Sequence, residues 1–265
     1  MSSLLQFHDR LKSGEPMFTA WCGLPDPAVP GLLARESFDA VTIDMQHGAI
    51  DFAATIRAIP LIAAADKPAV IRVPVGEFAT ASRLLDAGAA GIIAPMINTV
   101  DDARRFAAFT KFPPRGERSW GPHGGLTLSG LGPKDYFGRS NDFAVSFAMV
   151  ETREALAIVD DILAVDGIDA IFIGPSDLSI ALSGGASLDP ASREVEEAMD
   201  HAIARARSAG RFIGVYAANG ERAAQLAAKG FDFIALGSDS ALLRAGAQAA
   251  LKAVRQGASG AQNAY

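Results

Sequence analysis

Residues 170–179 read AIFIGPSDLS, and this stretch decides the fold class. A run of apolar residues, mostly β-branched or aromatic, ends at Gly174-Pro175, where a Ser-Asp pair opens a helical pattern. A strand that is apolar at every position is typical of a parallel sheet covered by helices on both faces. The stretch therefore predicts a strand that passes directly into a helix.

The same order of strand and helix recurs along the chain. Helical patterns begin after Asp51, Thr99, Thr152 and Asp189. Eight parallel strands close a barrel, and the 265 residues of this chain match the roughly 250 typical of that fold. We therefore predict an α/β fold, a (β/α)8 TIM barrel that forms one domain over residues 1–265. Its strands are expected at residues 17–24, 38–45, 69–74, 91–97, 143–151, 170–174, 212–217 and 231–237.

Two segments lie outside this alternation. Leu4, Phe7, His8 and Leu11 fall at helical spacing before the first strand, which predicts a short helix that closes the N-terminal end of the barrel. Residues 113–142 are rich in Pro and Gly, so we expect a long excursion without long regular elements. Because the excursion follows a helix, it starts on the barrel face opposite the active site. A role in catalysis would require it to wrap round or to serve a neighbouring subunit.

Composition narrows the classes of partner. The chain has 24 Lys+Arg against 30 Asp+Glu, so no basic surface favours nucleic acid or an anionic membrane. Its single cysteine, Cys22, excludes an internal disulfide and a multi-thiolate metal site. The N-terminus has no signal-peptide pattern, and no apolar stretch is long enough to cross a bilayer. We expect a cytoplasmic protein that acts on small molecules.

Polar residues follow the second and third predicted strands, where barrel enzymes place their reacting groups. Asp44, Gln46 and His47 come at one strand end, and Gly48 allows a sharp turn after them. Arg72 stands in an otherwise apolar strand, where a buried guanidinium requires an anion. That anion is either a substrate or the Asp44 carboxylate across the barrel rim, and His47 is either a base or a structural histidine.

Two carboxylates end the fifth and sixth predicted strands. Glu151 and Asp177 lie one βα unit apart, so they fall on neighbouring strand ends about 4.8 Å apart. Such carboxylates repel unless a proton or a cation lies between them, and two oxygen ligands suit Mg²⁺ or Mn²⁺. The free amides of Ser176 and Asp177 favour a substrate carboxylate. Alternatively, Asp177 only caps a helix and Glu151 pairs with an arginine.

Together these residues indicate enolate chemistry on a 2-keto acid. The keto acid would chelate the metal, Arg72 would stabilise the enolate oxygen, and His47 would move the proton. No lysine lies inside a predicted strand, which disfavours a Schiff-base aldolase. Trp21, Trp120, Tyr216 and Phe231 are aromatic candidates near the site, although most aromatic residues in a barrel pack in the core. Of these we assign only Trp21, together with Gln46, to substrate binding.

Several motifs, in this order, resemble the HpcH/HpaI family of class II pyruvate aldolases, of the 4-hydroxy-2-oxoheptanedioate and 2-keto-3-deoxy-sugar-acid type. The similarity spans nearly the whole chain. Its motifs are Asp44-x-Gln46-His47-Gly48, Ile71-Arg72-Val73-Pro74, Ala94-Pro95-Met96, Val150-Glu151-Thr152 and Gly174-Pro175-Ser176-Asp177-Leu178-Ser179.

The resemblance implies roles for individual residues and a quaternary structure. The fold would be a TIM barrel of the phosphoenolpyruvate/pyruvate type. Glu151 and Asp177 would hold Mg²⁺, Mn²⁺ or Co²⁺, and the turn formed by Gly174, Pro175, Ser176 and Asp177 would bind the keto acid. Arg72 would stabilise the enolate, His47 would act as base, and Asp44 and Asp86 would serve a proton relay. A homohexamer built as a trimer of dimers with exchanged C-terminal helices is also implied.

The expected function is therefore a metal-dependent aldolase, a carbon–carbon lyase. It would cleave a 4-hydroxy-2-oxo acid to an aldehyde and pyruvate or hydroxypyruvate, with decarboxylation of oxaloacetate as a side activity. Two alternatives stay open. One is an acyl-CoA lyase of the malyl or citryl type, which requires a basic groove for the coenzyme phosphates. The other is a keto-acid-binding barrel without catalysis, which does not require a proton-transferring His47.

Overall fold

Eight parallel strands form a closed barrel in the computed structural model, which describes residues 2–256. Each strand pairs with its neighbours in chain order, and the last strand pairs with the first. The predicted fold class and all eight predicted strands are confirmed. The strands are β1 (Met17–Cys22), β2 (Ala40–Asp44), β3 (Ala69–Arg72), β4 (Gly91–Ala94), β5 (Val145–Val150), β6 (Ala170–Ile173), β7 (Phe212–Ala217) and β8 (Phe233–Ser238).

Helices connect the strands and surround the barrel. Thirteen are found among the described residues: α1 (Ser3–Lys12), α2 (Ala28–Leu33), α3 (Phe52–Ala63), α4 (Phe78–Ala87), α5 (Val100–Thr110), α6 (His123–Ser129), α7 (Pro133–Phe143), α8 (Arg153–Ala157), α9 (Val159–Leu163), α10 (Pro175–Leu182), α11 (Arg193–Ser208), α12 (Gly220–Lys229) and α13 (Asp239–Arg255). None of them is long and apolar enough to cross a membrane.

Most predicted helix starts are confirmed by a side-chain cap. Asp51 accepts the amide of Ala54, and Thr99 forms a capping box with Asp102. Two helix predictions need correction. The helix after Thr152 is interrupted, so that α8 and α9 replace one long helix. Helix α11 begins after Ser192 rather than at Asp189, because the Ser192 hydroxyl accepts the amide of Val195.

The N-terminal end of the barrel is closed by α1, as predicted. Phe7 is fully buried and meets the ring of Phe233 edge-on at 5.6 Å and the ring of Phe147 at 6.4 Å. Gly91 leaves room for this plug, since a Cβ there would lie 3.2 Å from the Phe7 ring. Because this end is sealed with apolar side chains, the strands present polar groups to a ligand only at their C-terminal ends.

The excursion at residues 113–142 packs beside this closed end. Its α6 lies against α4, where a Cβ on Gly124 would approach the Ala87 carbonyl to 2.2 Å, and its α7 packs on α1. The expectation that the excursion lacks long regular elements is wrong, because α7 runs for 11 residues. Its Pro133 occupies the first helical turn, where a missing amide costs nothing, and Gly138 is tolerated within the helix.

Candidate active site

A cavity of about 390 Å³ opens at the C-terminal ends of the strands. Parallel strands place all their C-terminal ends on one face, so residues that are distant in sequence converge here. None of the residues that line the cavity in the described chain comes from the 113–142 excursion, and none is a lysine. The predicted site residues that line it are Trp21, Asp44, His47, Arg72, Gly174, Pro175, Ser176 and Asp177.

Arg72 and Asp44 form a buried ion pair at the floor of the cavity. The two residues are register partners on β3 and β2. Arg72 Nε donates to Asp44 Oδ1 at 2.9 Å, and Arg72 Nη2 donates to Oδ2 at 2.7 Å. Burial raises the pKa of Asp44, but the hydrogen bonds and charge of Arg72 outweigh this effect and bring the pKa below its ordinary value. Asp44 therefore stays ionised and fixes the guanidinium plane.

This pair uses only one edge of the guanidinium. Arg72 lines the cavity, and its Nη1 has no hydrogen-bond partner within the described chain. Trp21 supports the group from one side: its ring centre lies 4.9 Å from the guanidinium carbon, and its Nε1 donates to Asp44 at 3.2 Å. The two sequence-based alternatives for Arg72 are thus compatible, since the pair with Asp44 leaves one nitrogen for a substrate anion.

Asp44 also shapes the turn that carries His47. Its Oδ1 accepts the amides of Gln46 at 3.0 Å and His47 at 3.3 Å. The His47 side chain is exposed at the cavity rim. Gln46 does not line the cavity, and its Oε1 is buried without a hydrogen-bond partner among the described residues. The structure thus brings His47, but not Gln46, to the cavity.

Glu151 lies near Asp177 but, unlike Asp177, is not among the residues that line the cavity. Glu151 is buried, and its Oε1 accepts the amide of Met96 at 2.8 Å. Its Oε2 lies so close to Gly174 that a Cβ there would approach it to 2.5 Å. The pKa of Glu151 is raised to about 7, mainly by burial and further by the nearby charge of Asp177, while the Met96 amide and the charge of Arg72 lower it in part.

Among the described residues, no cap hydrogen bond or ion pair supports the alternative reading of these two carboxylates. The Asp177 side chain makes no cap hydrogen bond, because the N-cap residue of α10 is Gly174 and the helix has no side-chain cap. The Glu151 carboxylate accepts a backbone amide and forms no ion pair with an arginine in the described chain. The pair therefore consists of one buried carboxylate and one that is open to the cavity. Such a pair of oxygen donors fits a hard divalent cation and leaves positions for other ligands.

The start of α10 supplies amide donors beside this pair. Gly174 precedes the helix, and Pro175 occupies its first position, where no amide is needed. The amides of Ser176 and Asp177 have no intrahelical acceptor, because the first turn of a helix leaves its N–H groups free. Both residues line the cavity. An anion in the cavity can thus meet two backbone donors next to the carboxylates.

Asp86 lies away from the cavity within one chain. It stands near the end of α4, at the closed face of the barrel, and accepts a hydrogen bond from Arg118 at 2.7 Å. The Arg118 side chain is fully buried and belongs to the excursion. The relay role expected for Asp86 therefore stays a prediction, and it would require a neighbouring copy of the chain.

Several cavity residues were not assigned to the site from sequence. Tyr216 meets the Trp21 ring edge-on at 5.6 Å, and its hydroxyl has no hydrogen-bond partner in the described chain. Met149 and Phe172 add an apolar wall, and the turn after β8 contributes Ser238 and Asp239. The sequence could not show which of the aromatic candidates lines the cavity. Phe231 is buried in the core, and Trp120 packs on Tyr136 in the excursion.

Comparison with known proteins decides the family. The model of the HpcH/HpaI aldolase/citrate lyase family matches residues 18–245. The chain belongs to this family. Both activities in the family description break a carbon–carbon bond, which confirms the expectation of a carbon–carbon lyase.

Individual relatives cover nearly the whole chain. A hydroxypyruvate/pyruvate aldolase of Rhizorhabdus wittichii is 40% identical over 89% of this chain and 92% of its own length. A 4-hydroxy-2-oxo-heptane-1,7-dioate aldolase of Salmonella paratyphi C is 35% identical over 98% of both chains. The crystal structure of a family member from Burkholderia cenocepacia superposes with a TM-score of 0.84 at 30% identity, covering 95% of this chain and 99% of that one.

Proposed function

We propose that this protein is a metal-dependent aldolase that reversibly cleaves a 4-hydroxy-2-oxo acid to an aldehyde and pyruvate or hydroxypyruvate. One observation carries the proposal: Asp44 holds the Arg72 guanidinium by one edge, so that Nη1 remains for an oxygen that becomes negative. The keto oxygen becomes negatively charged as the enolate forms. A hydrogen-bond donor fixed beside it therefore stabilises the transition state more than the neutral ground state. The names of the two aldolase relatives support the same chemistry.

Glu151 and Asp177 are the proposed ligands of a divalent metal ion, Mg²⁺, Mn²⁺ or Co²⁺. Members of the family depend on such an ion. Gly174 supports the assignment, because any side chain there would displace Glu151 Oε2. When bound, the ion supplies Lewis-acid polarisation of the keto group.

The remaining steps rest on side chains and amides of this chain. The amides of Ser176 and Asp177 bind the substrate carboxylate and orient the keto acid across the cavity. Arg72 holds the developing enolate oxygen, and Asp44 keeps the guanidinium in place. His47, at the rim, takes the proton of the hydroxyl group during cleavage and delivers it to the enolate carbon, which releases the keto acid. Carboligation reverses both transfers, and with pyruvate alone the same side chain removes and returns a methyl proton. Decarboxylation of oxaloacetate gives the same enolate, so we propose it as a side activity.

The cavity favours neither of the two alternative functions. Arg72 is the only Lys or Arg among the residues that line the cavity in the described chain, so the coenzyme phosphates of an acyl-CoA would lack a basic groove. Binding without catalysis does not explain why Asp44 positions both Arg72 and the His47 turn.

Exchange of the pyruvate methyl protons in D₂O tests the proposal before the aldehyde is known. Protein treated with chelator is followed by NMR with and without Mn²⁺ or Mg²⁺. We expect exchange only when the metal is present, because forming the enolate requires the keto group to be polarised. Absence of exchange with metal demonstrably bound would overturn the aldolase mechanism.

The raised pKa of Glu151 predicts a pH-dependent metal affinity. A metal ligand must be ionised, and Glu151 holds its proton up to about pH 7. We expect the affinity for Mn²⁺ to rise roughly tenfold per pH unit below pH 7 and then to level off. Calorimetric titration between pH 5.5 and 8 measures this. Affinity that does not change below pH 7 would contradict the assignment of Glu151 as a ligand.

We also propose that the protein is a homo-oligomer, a hexamer as the family resemblance implies, joined through α13. Of the 17 residues of α13, only Asp239 is buried. Leu243, Leu251 and Val254 are 67%, 54% and 80% exposed and fall on one face of the helix. An apolar stripe of this kind is typical of a surface that another subunit covers.

Charge on this stripe is therefore expected to break the assembly. Leu243→Asp with Leu251→Asp should shift the mass measured by light scattering from the oligomer to the monomer, because each change places a carboxylate in the apolar contact. Lys252→Asp, on the same helix but off the stripe, serves as the control. A wild-type protein that is monomeric would refute the proposal directly.

A further inference from the structure

A series of contacts holds the turn that carries His47. The first of these contacts is made by Asp239, which is distant from His47 in sequence. This residue opens α13 and is only 4% exposed. Its Oδ2 accepts the amides of Gly23 and Leu24, both at 2.9 Å, and its Oδ1 accepts the amide of Ser240 at 2.8 Å. No Lys or Arg pairs with it in the described chain. Backbone amides and the start of the helix therefore stabilise its charge.

The β1 loop that Asp239 holds is in turn locked to the His47 turn. The carbonyl of Gly23 accepts the amide of Ala49 at 2.7 Å. Gly48 packs so tightly that a Cβ there would lie 2.7 Å from Gly23 Cα and 2.2 Å from the Asp44 carbonyl. The contact thus joins backbone to backbone on both sides, and His47 directly precedes it. A shift of Gly23 must therefore move the backbone next to His47.

We propose that Asp239 is a positioning residue for His47, acting through Gly23 and the Gly48 turn. The proposal rests on the function proposed above, in which His47 moves the proton. A role limited to starting α13 does not account for these contacts. The Ser238 hydroxyl already caps that helix by accepting the amide of Ala241, and two of the three hydrogen bonds of Asp239 go to the loop that follows β1.

Amide hydrogen exchange tests the linkage without any activity. In Asp239→Ala the amides of Gly23 and Leu24 lose their acceptor, so they and the amide of Ala49 should exchange at least about tenfold faster. In Asp239→Asn the effect should be smaller but still measurable at Gly23, Leu24 and Ala49, because a neutral amide oxygen is a weaker acceptor than the carboxylate and the NH₂ group meets the Ser240 amide. If Asp239→Ala does not fold, Asp239→Asn carries the test. Unchanged exchange at Ala49 would overturn the proposal.

Asn219→Ala is the matched control for the loss of a cap. Asn219 caps α12 on the same face of the barrel and does not line the cavity. Its removal should weaken α12 by about 1 kcal/mol and leave the exchange of Gly23, Leu24 and Ala49 unchanged.

A double-mutant cycle with His47→Ala tests the functional part. For metal-dependent exchange of pyruvate protons, Asp239→Ala should lower kcat about 10²-fold, the effect of a misplacement of about 1 Å. The KM for pyruvate and the affinity for Mn²⁺ should stay within about 2-fold, because Asp177 and Glu151 are untouched. In the His47→Ala background, Asp239→Ala should cost no more than about 2-fold further.

The outcomes separate the two proposals. Additive losses in the cycle would show that Asp239 does not act through His47, and the positioning role would be wrong even with the aldolase mechanism intact. If the wild-type protein shows no metal-dependent exchange, the proposed function fails. The amide exchange of Ala49 then still decides whether Asp239 holds the His47 turn.

Discussion

Arg72→Lys is expected to lower kcat for aldol cleavage about 10³-fold, the largest loss that a conservative change in this cavity should cause. The guanidinium reaches Asp44 through two nitrogens, at 2.9 and 2.7 Å, and keeps Nη1 for the substrate. A lysine ammonium is a single centre, so it cannot hold the Asp44 carboxylate and also reach the enolate oxygen in fixed geometry. Steady-state kinetics of aldol cleavage measures the loss.

Arg207→Lys is a matched control for the lost ion-pair geometry. Arg207 also binds a buried carboxylate through two nitrogens, since Nη1 and Nη2 donate to Asp232 at 3.1 and 2.6 Å. Asp232 precedes β8 at the closed end of the barrel, remote from the cavity. Arg207→Lys should therefore lower the melting temperature and leave kcat unchanged. If Arg72→Lys also lowers only stability, Arg72 is a structural partner of Asp44 and the enolate role is wrong.

The fold was predictable because its signals are local. Each strand is an apolar run bounded by turn residues, and each cap that was identified, such as Asp51 or Thr99, acts within three residues. Prediction from local signals fails where two of these signals conflict. Pro133 and Gly138 read as breakers, yet Pro133 sits in the first turn of α7, and burial of Tyr136 and Phe143 holds the helix together.

The candidate site was predictable to the extent that the barrel itself brings strand ends together. Asp44 and Arg72 were assigned to neighbouring strand ends, and the register pairs them directly. One contact depends on a backbone conformation that no short motif encodes. Met96 adopts a positive φ of 55°, which turns its amide toward Glu151.

Asp239 illustrates the same limit, since the sequence Gly-Ser-Asp-Ser reads as an ordinary helix start. Its contacts with Gly23 and Leu24 arise only when β8 closes the barrel against β1. Asp86 shows the converse: the family resemblance assigns it a role, but the fold of one chain places it at the opposite end from the cavity.

Glu151→Gln is expected to weaken Mn²⁺ binding at least about 100-fold and to reduce metal-dependent pyruvate exchange to the level of metal-free protein. The amide keeps the shape of the side chain, and its oxygen still accepts the amide of Met96. Its NH₂ group then takes the place of Oε2 beside Gly174, so that a donor replaces the oxygen ligand. Calorimetry and the exchange assay measure the two losses on the same preparation.

Glu151→Gln should lower metal affinity and activity but raise the stability of the metal-free protein. This opposite change distinguishes the loss of a metal ligand from unfolding of the variant. Because burial raises the pKa of Glu151 from 4.5 to about 7, ionising it destabilises the folded, metal-free protein. The penalty is absent below about pH 4.5, grows up to about pH 7 and is constant above it, at about 3 kcal/mol. Glu151→Gln removes this penalty, so at pH 8 the metal-free variant should melt above the metal-free wild type.

Asp232→Asn provides the contrast. This change also removes a buried carboxylate. The charge of Asp232 is paired with Arg207, whereas the charge of Glu151 lies near a second carboxylate, Asp177. Loss of a partner leaves a half-buried arginine without its anion, so this variant should melt below the wild type and keep its metal affinity and its pyruvate exchange. If Glu151→Gln instead lowers the melting temperature of the metal-free protein, Glu151 serves as a structural acceptor for the Met96 amide, and its assignment as a metal ligand is wrong.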